Sequence, residues 1–114
     1  MLDARPSMAQ TGAFDFTSPQ AWVRAWGEAI SGPSPAPQRR LIETAPFPHR
    51  KLPGLVLVTA RFGCRPAAKH ALAYNTEAER RLARAIGVKR LTIVPGRRSG
   101  VEVRFLVRSA QARA

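Results

Sequence analysis

Few residues in this 114-residue chain are equipped for chemistry: one cysteine, two histidines, seven carboxylates, and sixteen arginines with three lysines. Cys64 lies in "RFGCRPAAKH", directly before a proline that can open a helix. A cysteine loop feeding a helix N-terminus is a setting in which a thiolate attacks phosphate. That chemistry wants an arginine six residues after the cysteine to clamp the oxyanion. Position 70 is histidine, so the motif fails despite Arg61 and Arg65 nearby, and Cys64 reads as a structural thiol. His49, Cys64 and His70 show neither a Cys-x-x-Cys pair nor His-x₃-His spacing, so no metal site is expected.

Acid–base chemistry fares no better. The four carboxylates after residue 37 are Glu43, Glu77, Glu79 and Glu102. Glu79 sits where a helix cap would use it, and Glu77 has arginine neighbours. No pair remains for general acid–base work, and no acidic cluster for a metal-dependent nuclease. "PGRRSG" is too short for a P-loop and lacks its lysine–hydroxyl ending. Neither a catalytic residue nor a cofactor is expected. The remaining enzymatic reading, thiol chemistry by Cys64 with His70, would need thiol-dependent turnover of a phosphate or acyl substrate.

What the chain does have is positive charge. Its formal charge is +12, far more than solubility asks of a small domain. Arg5 and Arg24 against Asp3, Asp15 and Glu28 give residues 1–37 a net of −1; the other 17 basic and 4 acidic residues give residues 38–114 a net of +13. Base composition can favour arginine over lysine, but that exchange leaves charge unchanged and does not explain the shortage of acids. Self-repulsion on this scale is relieved by a polyanion.

The elements that position this charge can be read from pattern. Residues 1–17 are weakly patterned and expected to be loose. In "SPQAWVRAWGEAISG", Ser18 suits an N-cap and Pro19 the first helical position, and Trp22, Trp26 and Ile30 make one stripe on an amphipathic helix over 18–30. Those tryptophans must dock, on the chain's own core or in the groove of a protein partner, so Trp22 and Trp26 are candidate partner-binding residues. Residues 31–37, "SGPSPAP", read as a Pro-rich linker at the point where the charge balance changes. The helix before it is then an appendage to a basic domain over 38–108, with a tail over 109–114.

Within that domain a short strand is expected at 40–44. "LVLVTARF" at 55–62 is the strongest strand signal, apolar on both faces and so read as central and covered. A helix follows at 66–74, then a kink, then a second helix at 77–86 with Thr76 and Glu79 as a capping box and Gly87 as its stop. Ala78, Leu82 and Ile86 face the core; Arg80, Arg81 and Arg84 lie opposite. "KRLTIV" and "VEVRFLVR" form a hairpin whose last strand alternates Val101, Val103, Phe105 and Val107 with Glu102, Arg104, Leu106 and Arg108. Its turn, bounded by Pro95, Gly96 and Gly100, carries Arg97 and Arg98.

The expected fold is α+β: a small mixed sheet with a strand–helix–strand–strand core, helices packed on one face, and an N-terminal helix before it. The expected function is a non-enzymatic nucleic-acid-binding module. It would contact phosphates of RNA or DNA through Arg80, Arg81, Arg84, Lys89, Arg90, Arg97, Arg98, Arg104 and Arg108. Base readout has little support, since Tyr74 is the only tyrosine and Phe62 and Phe105 read as buried. The alternative is an assembly or inhibitor protein that docks on a nucleoprotein or an acidic protein through the Trp22/Trp26 helix and the basic face. "MLDARPSMAQTGAF" lacks the apolar centre of a signal peptide, and "LVLV" falls far short of the ~20 apolar residues of a membrane helix. With a single cysteine besides, a cytoplasmic protein without a membrane partner is expected.

Overall fold

Ser18 and Pro19 start the first helix as their chemistry requires. Ser18 is extended and its hydroxyl oxygen accepts the Ala21 N–H at 3.1 Å, while Pro19 takes the first turn of helix α1, Pro19–Ala29. The computed structural model describes residues 14–48, 51 and 53–108. Most of the segment expected to be loose (residues 1–13), the tail at 109–114 and His49 lie outside the described residues. Six elements follow α1: β1 (Ala36–Pro46), β2 (Leu55–Gly63), α2 (Pro66–Leu72), α3 (Thr76–Ile86), β3 (Thr92–Pro95) and β4 (Gly100–Arg108).

The class is α+β, with the sheet in the order β1-β2-β4-β3. Its expected mixed character is corrected: every neighbouring pair is antiparallel. The helical crossover does join two strands of the same direction, β2 and β3, but β4 lies between them. The physical reason is pairing length. β4 matches β2 over nine positions, from Leu55↔Arg108 to Gly63↔Gly100, and β3 over only four, so the long ladder takes the central slot.

α1 is an integral part of the core. Trp22 and Trp26 are both 0% exposed and lie edge-on to Phe62, with ring centroids 5.2 and 5.4 Å away. Phe105 and Phe16 complete the cluster. The expectation that Trp22 and Trp26 bind a partner is therefore corrected: the aromatic rings of β2 and β4 need an apolar cover, and the two indoles supply it. The Trp22 indole N–H donates to the Phe16 carbonyl at 2.8 Å, whereas that of Trp26 is buried without a partner among the described residues. The Pro-rich segment is not a free linker either. Pro35 is fully buried, and Ala36 and Pro37 already belong to β1. An edge strand tolerates these prolines because its outer N–H positions need no ladder partner. β1 then bulges: between Pro37↔Phe62 and Ile42↔Ala60, residues 38–41 stand opposite Arg61 alone.

The helices that follow β2 in the chain shift slightly from expectation. α2 stops at Leu72, and Asn75 caps α3 in place of Thr76. The Asn75 Oδ1 accepts the N–H groups of Glu77 and Ala78 at 3.1 and 3.2 Å. Glu79 is thereby released from the expected box, and its Oε2 accepts the Ile93 N–H at 3.0 Å on the outer edge of β3. Gly87, with φ of 77°, ends α3 in the left-handed conformation that favours glycine. Ala78, Leu82 and Ile86 are buried as expected.

β2 is central, but only one of its faces is covered. Val58, Ala60 and Phe62 point into the core, with Val101, Val103, Phe105 and Val107 of β4 and Ile93 of β3. Leu55, Leu57, Thr59 and Arg61 point to the other side, where they are only half-buried.

Candidate nucleic-acid interface

The hairpin turn that carries Arg97 and Arg98 is fastened to the rest of the protein. The Lys69 ammonium, reaching over from α2, donates to the carbonyls of Gly96 and Arg98 at 3.0 and 2.6 Å. The Cys64 N–H donates to Ser99 O at 2.9 Å, and Gly96 N–H to Gly100 O at 2.9 Å. Arg98 is held at φ of 52°, a conformation that non-glycine residues adopt rarely. Gly100 must be glycine for a packing reason, since a Cβ there would lie 2.6 Å from the Phe62 carbonyl oxygen and push β4 off β2. Arg97 and Arg98 are both exposed and make no ion pair among the described residues.

Other cations gather at this end of the sheet. Arg39 and Arg40 ride exposed on the β1 bulge, and the neighbouring Gln38 amide lies within 3.2 Å of where a Gly100 Cβ would stand. Arg65 is exposed next to Cys64 at the start of α2. The hydrogen bond and charge of Arg61 hold the Glu43 carboxyl below the usual carboxylate range, and Arg40 and Arg97 lower it further. One carboxylate thus senses cations from the bulge and from the turn. Sequence reasoning missed Arg39, Arg40, Arg65 and Lys69 as parts of this site. The adjacent arginines at 39–40 were a visible signal, but nothing local announced the bulge or the reach of Lys69 across 27 residues.

The outer face of β4 is less basic than its alternation implied. The Glu102 carboxylate is buried between Arg104, whose Nη2 donates at 2.8 Å, and Arg61, whose Nε is 3.4 Å away; Arg61 also reaches Glu43 at 2.5 Å. Arg61 and Arg104 are therefore already engaged in a cross-strand ladder.

The arginines of α3 divide. Arg80 and Arg81 both pair with Glu77. Arg80 meets Lys89 and Arg90 around a cleft of about 550 Å³ at the β3 edge, whereas Arg81 and Arg84 line a hollow with Glu28 of α1. The nine cations expected to act together thus do not form one surface. Arg97 and Arg98 are at the turn, Lys89, Arg90, Arg104 and Arg108 share a groove of about 780 Å³ beside the end of β4, Arg80 joins Lys89 and Arg90 at the β3 edge, and Arg81 and Arg84 are on the helical layer. Along β4, Arg108 is roughly 27 Å from the turn at strand rise.

The Cys64 thiol is half-buried, and burial pushes its pKa up while the charge of Lys69 pulls the other way. An activated nucleophile needs a shift in the opposite direction. Among the described residues, no helix is long and apolar enough to cross a membrane. No family model, curated protein or solved structure matches the chain.

Proposed function

We propose that this protein is a non-enzymatic nucleic-acid-binding module that grips the phosphate backbone of RNA or DNA. The contact surface is the hairpin-turn end of the sheet: Arg97 and Arg98, joined by Arg39, Arg40 and Arg65. The observation that carries this reading is the fixed turn. Three hydrogen bonds from Lys69 and Cys64 hold two exposed arginines that form no salt bridge among the described residues. Arginines on a rigid frame lose little freedom when they fork onto phosphate oxygens. Five of the eight aromatic residues, Phe16, Trp22, Trp26, Phe62 and Phe105, are spent on the core, which favours backbone contact over base stacking. A single thiol suits a reducing compartment such as the cytoplasm.

The test is a fluorescence-anisotropy titration with duplex DNA and single-stranded RNA over a range of salt. Five phosphate contacts correspond to a slope of log K against log salt of about −4.5 on duplex DNA. Arg97→Gln/Arg98→Gln should leave folding intact, weaken binding to all sequences alike, and reduce that slope by about 2. A flat salt response, or a double variant with unchanged affinity and slope, would sink the reading.

A further inference from the structure

On the face of the sheet that no helix among the described residues covers, Leu55 and Leu57 of β2 are half-buried. Leu106, the cross-strand neighbour of Leu57, is 39% exposed. With Phe47 they line one side of the groove of about 780 Å³ beside the end of β4. A contiguous apolar wall of this kind marks a place where another molecule sits. The opposite side of the groove is the loop after Gly87, which presents Lys89 and Arg90, both exposed and in no ion pair among the described residues. Arg104 adds a third cation, shared with Glu102. No Asp or Glu is among the described residues that line the groove. An apolar wall with a positive rim is complementary to an apolar stripe flanked by carboxylates.

The backbone around the groove has little to offer an occupant. β4 pairs with β2 at every position from Gly100 to Arg108, and the Ile93 N–H and carbonyl of β3 are taken by Glu79 and Tyr74. What binds here must use side chains and satisfy its own peptide groups, as an α-helix does. From Arg104 to Arg108 the groove follows β4 for about 13 Å at strand rise, a length that a helix spans in about nine residues. Nine residues carry one stripe of apolar anchors at i, i+3 or i+4, and i+7.

We infer that this groove takes an acidic amphipathic helix of a partner protein, with its apolar stripe on Phe47, Leu57 and Leu106 and its carboxylates toward Lys89 and Arg90. The same cations repel a second copy of a chain with net charge +12. A nucleic acid strand fits less well, because Phe47 is the one partly exposed aromatic among the described residues that line the groove, and bases would lie mostly on aliphatic side chains. The site is separate from the hairpin turn and does not rest on the nucleic-acid reading.

The test titrates the full chain with three synthetic fourteen-residue peptides of leucine, alanine and glutamate. The first has its leucines at i, i+3, i+4 and i+7, the second has the same residues scrambled, and the third is the first with lysine in place of glutamate. The first peptide should bind at least tenfold tighter than the scrambled one, gain helicity on binding, and shift the amide signals of residues 87–92 and 104–108; the lysine peptide should not bind. Leu106→Gln, at an exposed position and without a change of charge, should weaken the first peptide about fivefold or more. Lys89→Glu/Arg90→Glu should weaken it about tenfold and make the lysine peptide the better ligand. Arg97→Gln/Arg98→Gln should leave it unchanged. Equal binding of the first and scrambled peptides would mean that net charge alone attracts them and would overturn the inference, as would no binding or shifts centred on the turn. A ten-nucleotide single strand that shifts the same amides and loses more affinity than the peptide in Leu106→Gln would give the groove to nucleic acid. The same shifts produced by raising the protein concentration alone would give it to a second copy.

Discussion

Val101, Val103, Phe105 and Val107 face the helices and are nearly sealed from water, while Arg104, Leu106 and Arg108 between and after them face a side of the sheet that no helix among the described residues covers. The two faces are built from the same strands, at the same register, by the two-residue period of the pleat. One is an aromatic core in which Trp22 and Trp26 close over Phe62. The other is a half-buried surface divided between a Glu43–Arg61–Glu102–Arg104 ladder and an apolar patch around Leu57 and Leu106. Stability resides on the first face. The second, with the turn at its end, is free to be specialised for charge.

That division can be broken most directly by paired truncations. Phe62→Ala should cost about 3–5 kcal/mol in urea unfolding, and Leu57→Ala, on the opposite face of the same strand, less than half of that. Equal costs would mean that the uncovered face is as much a core as the other. Gly100→Ala should come next, at roughly 1–3 kcal/mol, because β4 must move away from the Phe62 carbonyl; a thermal melt and the spectrum of the turn amides both report it. Within the core, Trp22→Phe should cost about 1 kcal/mol more than Trp26→Phe. The first change strands the Phe16 carbonyl and the second removes an N–H that had no partner. A reversed order would show that Trp26 has an acceptor outside the described residues. The smallest effect belongs to the charged ladder. Glu43 is held below the usual carboxylate range by Arg61, so its contribution is fully present above that range and is lost as pH falls through the lowered value. Glu43→Gln should lower stability slightly on the neutral side, where the contribution is present, and converge with the parent protein at the acid end, so that melts from neutral to acid pH give a flatter profile.

The covered face was legible in the sequence because its signals are local. The Leu82/Ile86 stripe, the alternation from Val101 to Val107 and the Ser18–Pro19 start all have the period of the element they belong to, and the structure keeps each of them. What could not be read was decided at a distance. "SPAP" has the composition of a linker, yet its Pro35 is buried and its last residues enter β1, because an edge strand accepts proline. "LVLVTARF" is apolar on both faces, yet one face is only half-buried, since Leu55 and Leu57 belong to a patch that no helix among the described residues reaches. The expected capping box gives way to a simple cap one residue earlier, because the Asn75 side chain takes the N–H groups of Glu77 and Ala78 and Glu79 is drawn to β3. For the candidate interface, Arg97 and Arg98 announced themselves by their turn. The bulge that brings Arg39 and Arg40 alongside, and the lysine that fastens the turn, come from pairings that sequence spacing does not encode.

The strand order has a consequence for the way this chain acquires its structure. β4 is the last of the four strands along the chain, yet it is the one on which β2 and β3 both depend. Until it arrives, β3 has no neighbour, Phe62 and Val58 lack half of their surroundings, and the helices have only one hairpin to rest on. Assembly therefore waits on a ladder between residues that lie from 37 (Gly63↔Gly100) to 53 (Leu55↔Arg108) positions apart, and the sheet closes from its middle. Such a topology folds slowly for its size, and a newly made chain spends the interval with the aromatic cluster around Phe62 open on the side that Phe105 will close. In that interval the excess positive charge keeps unfinished copies apart.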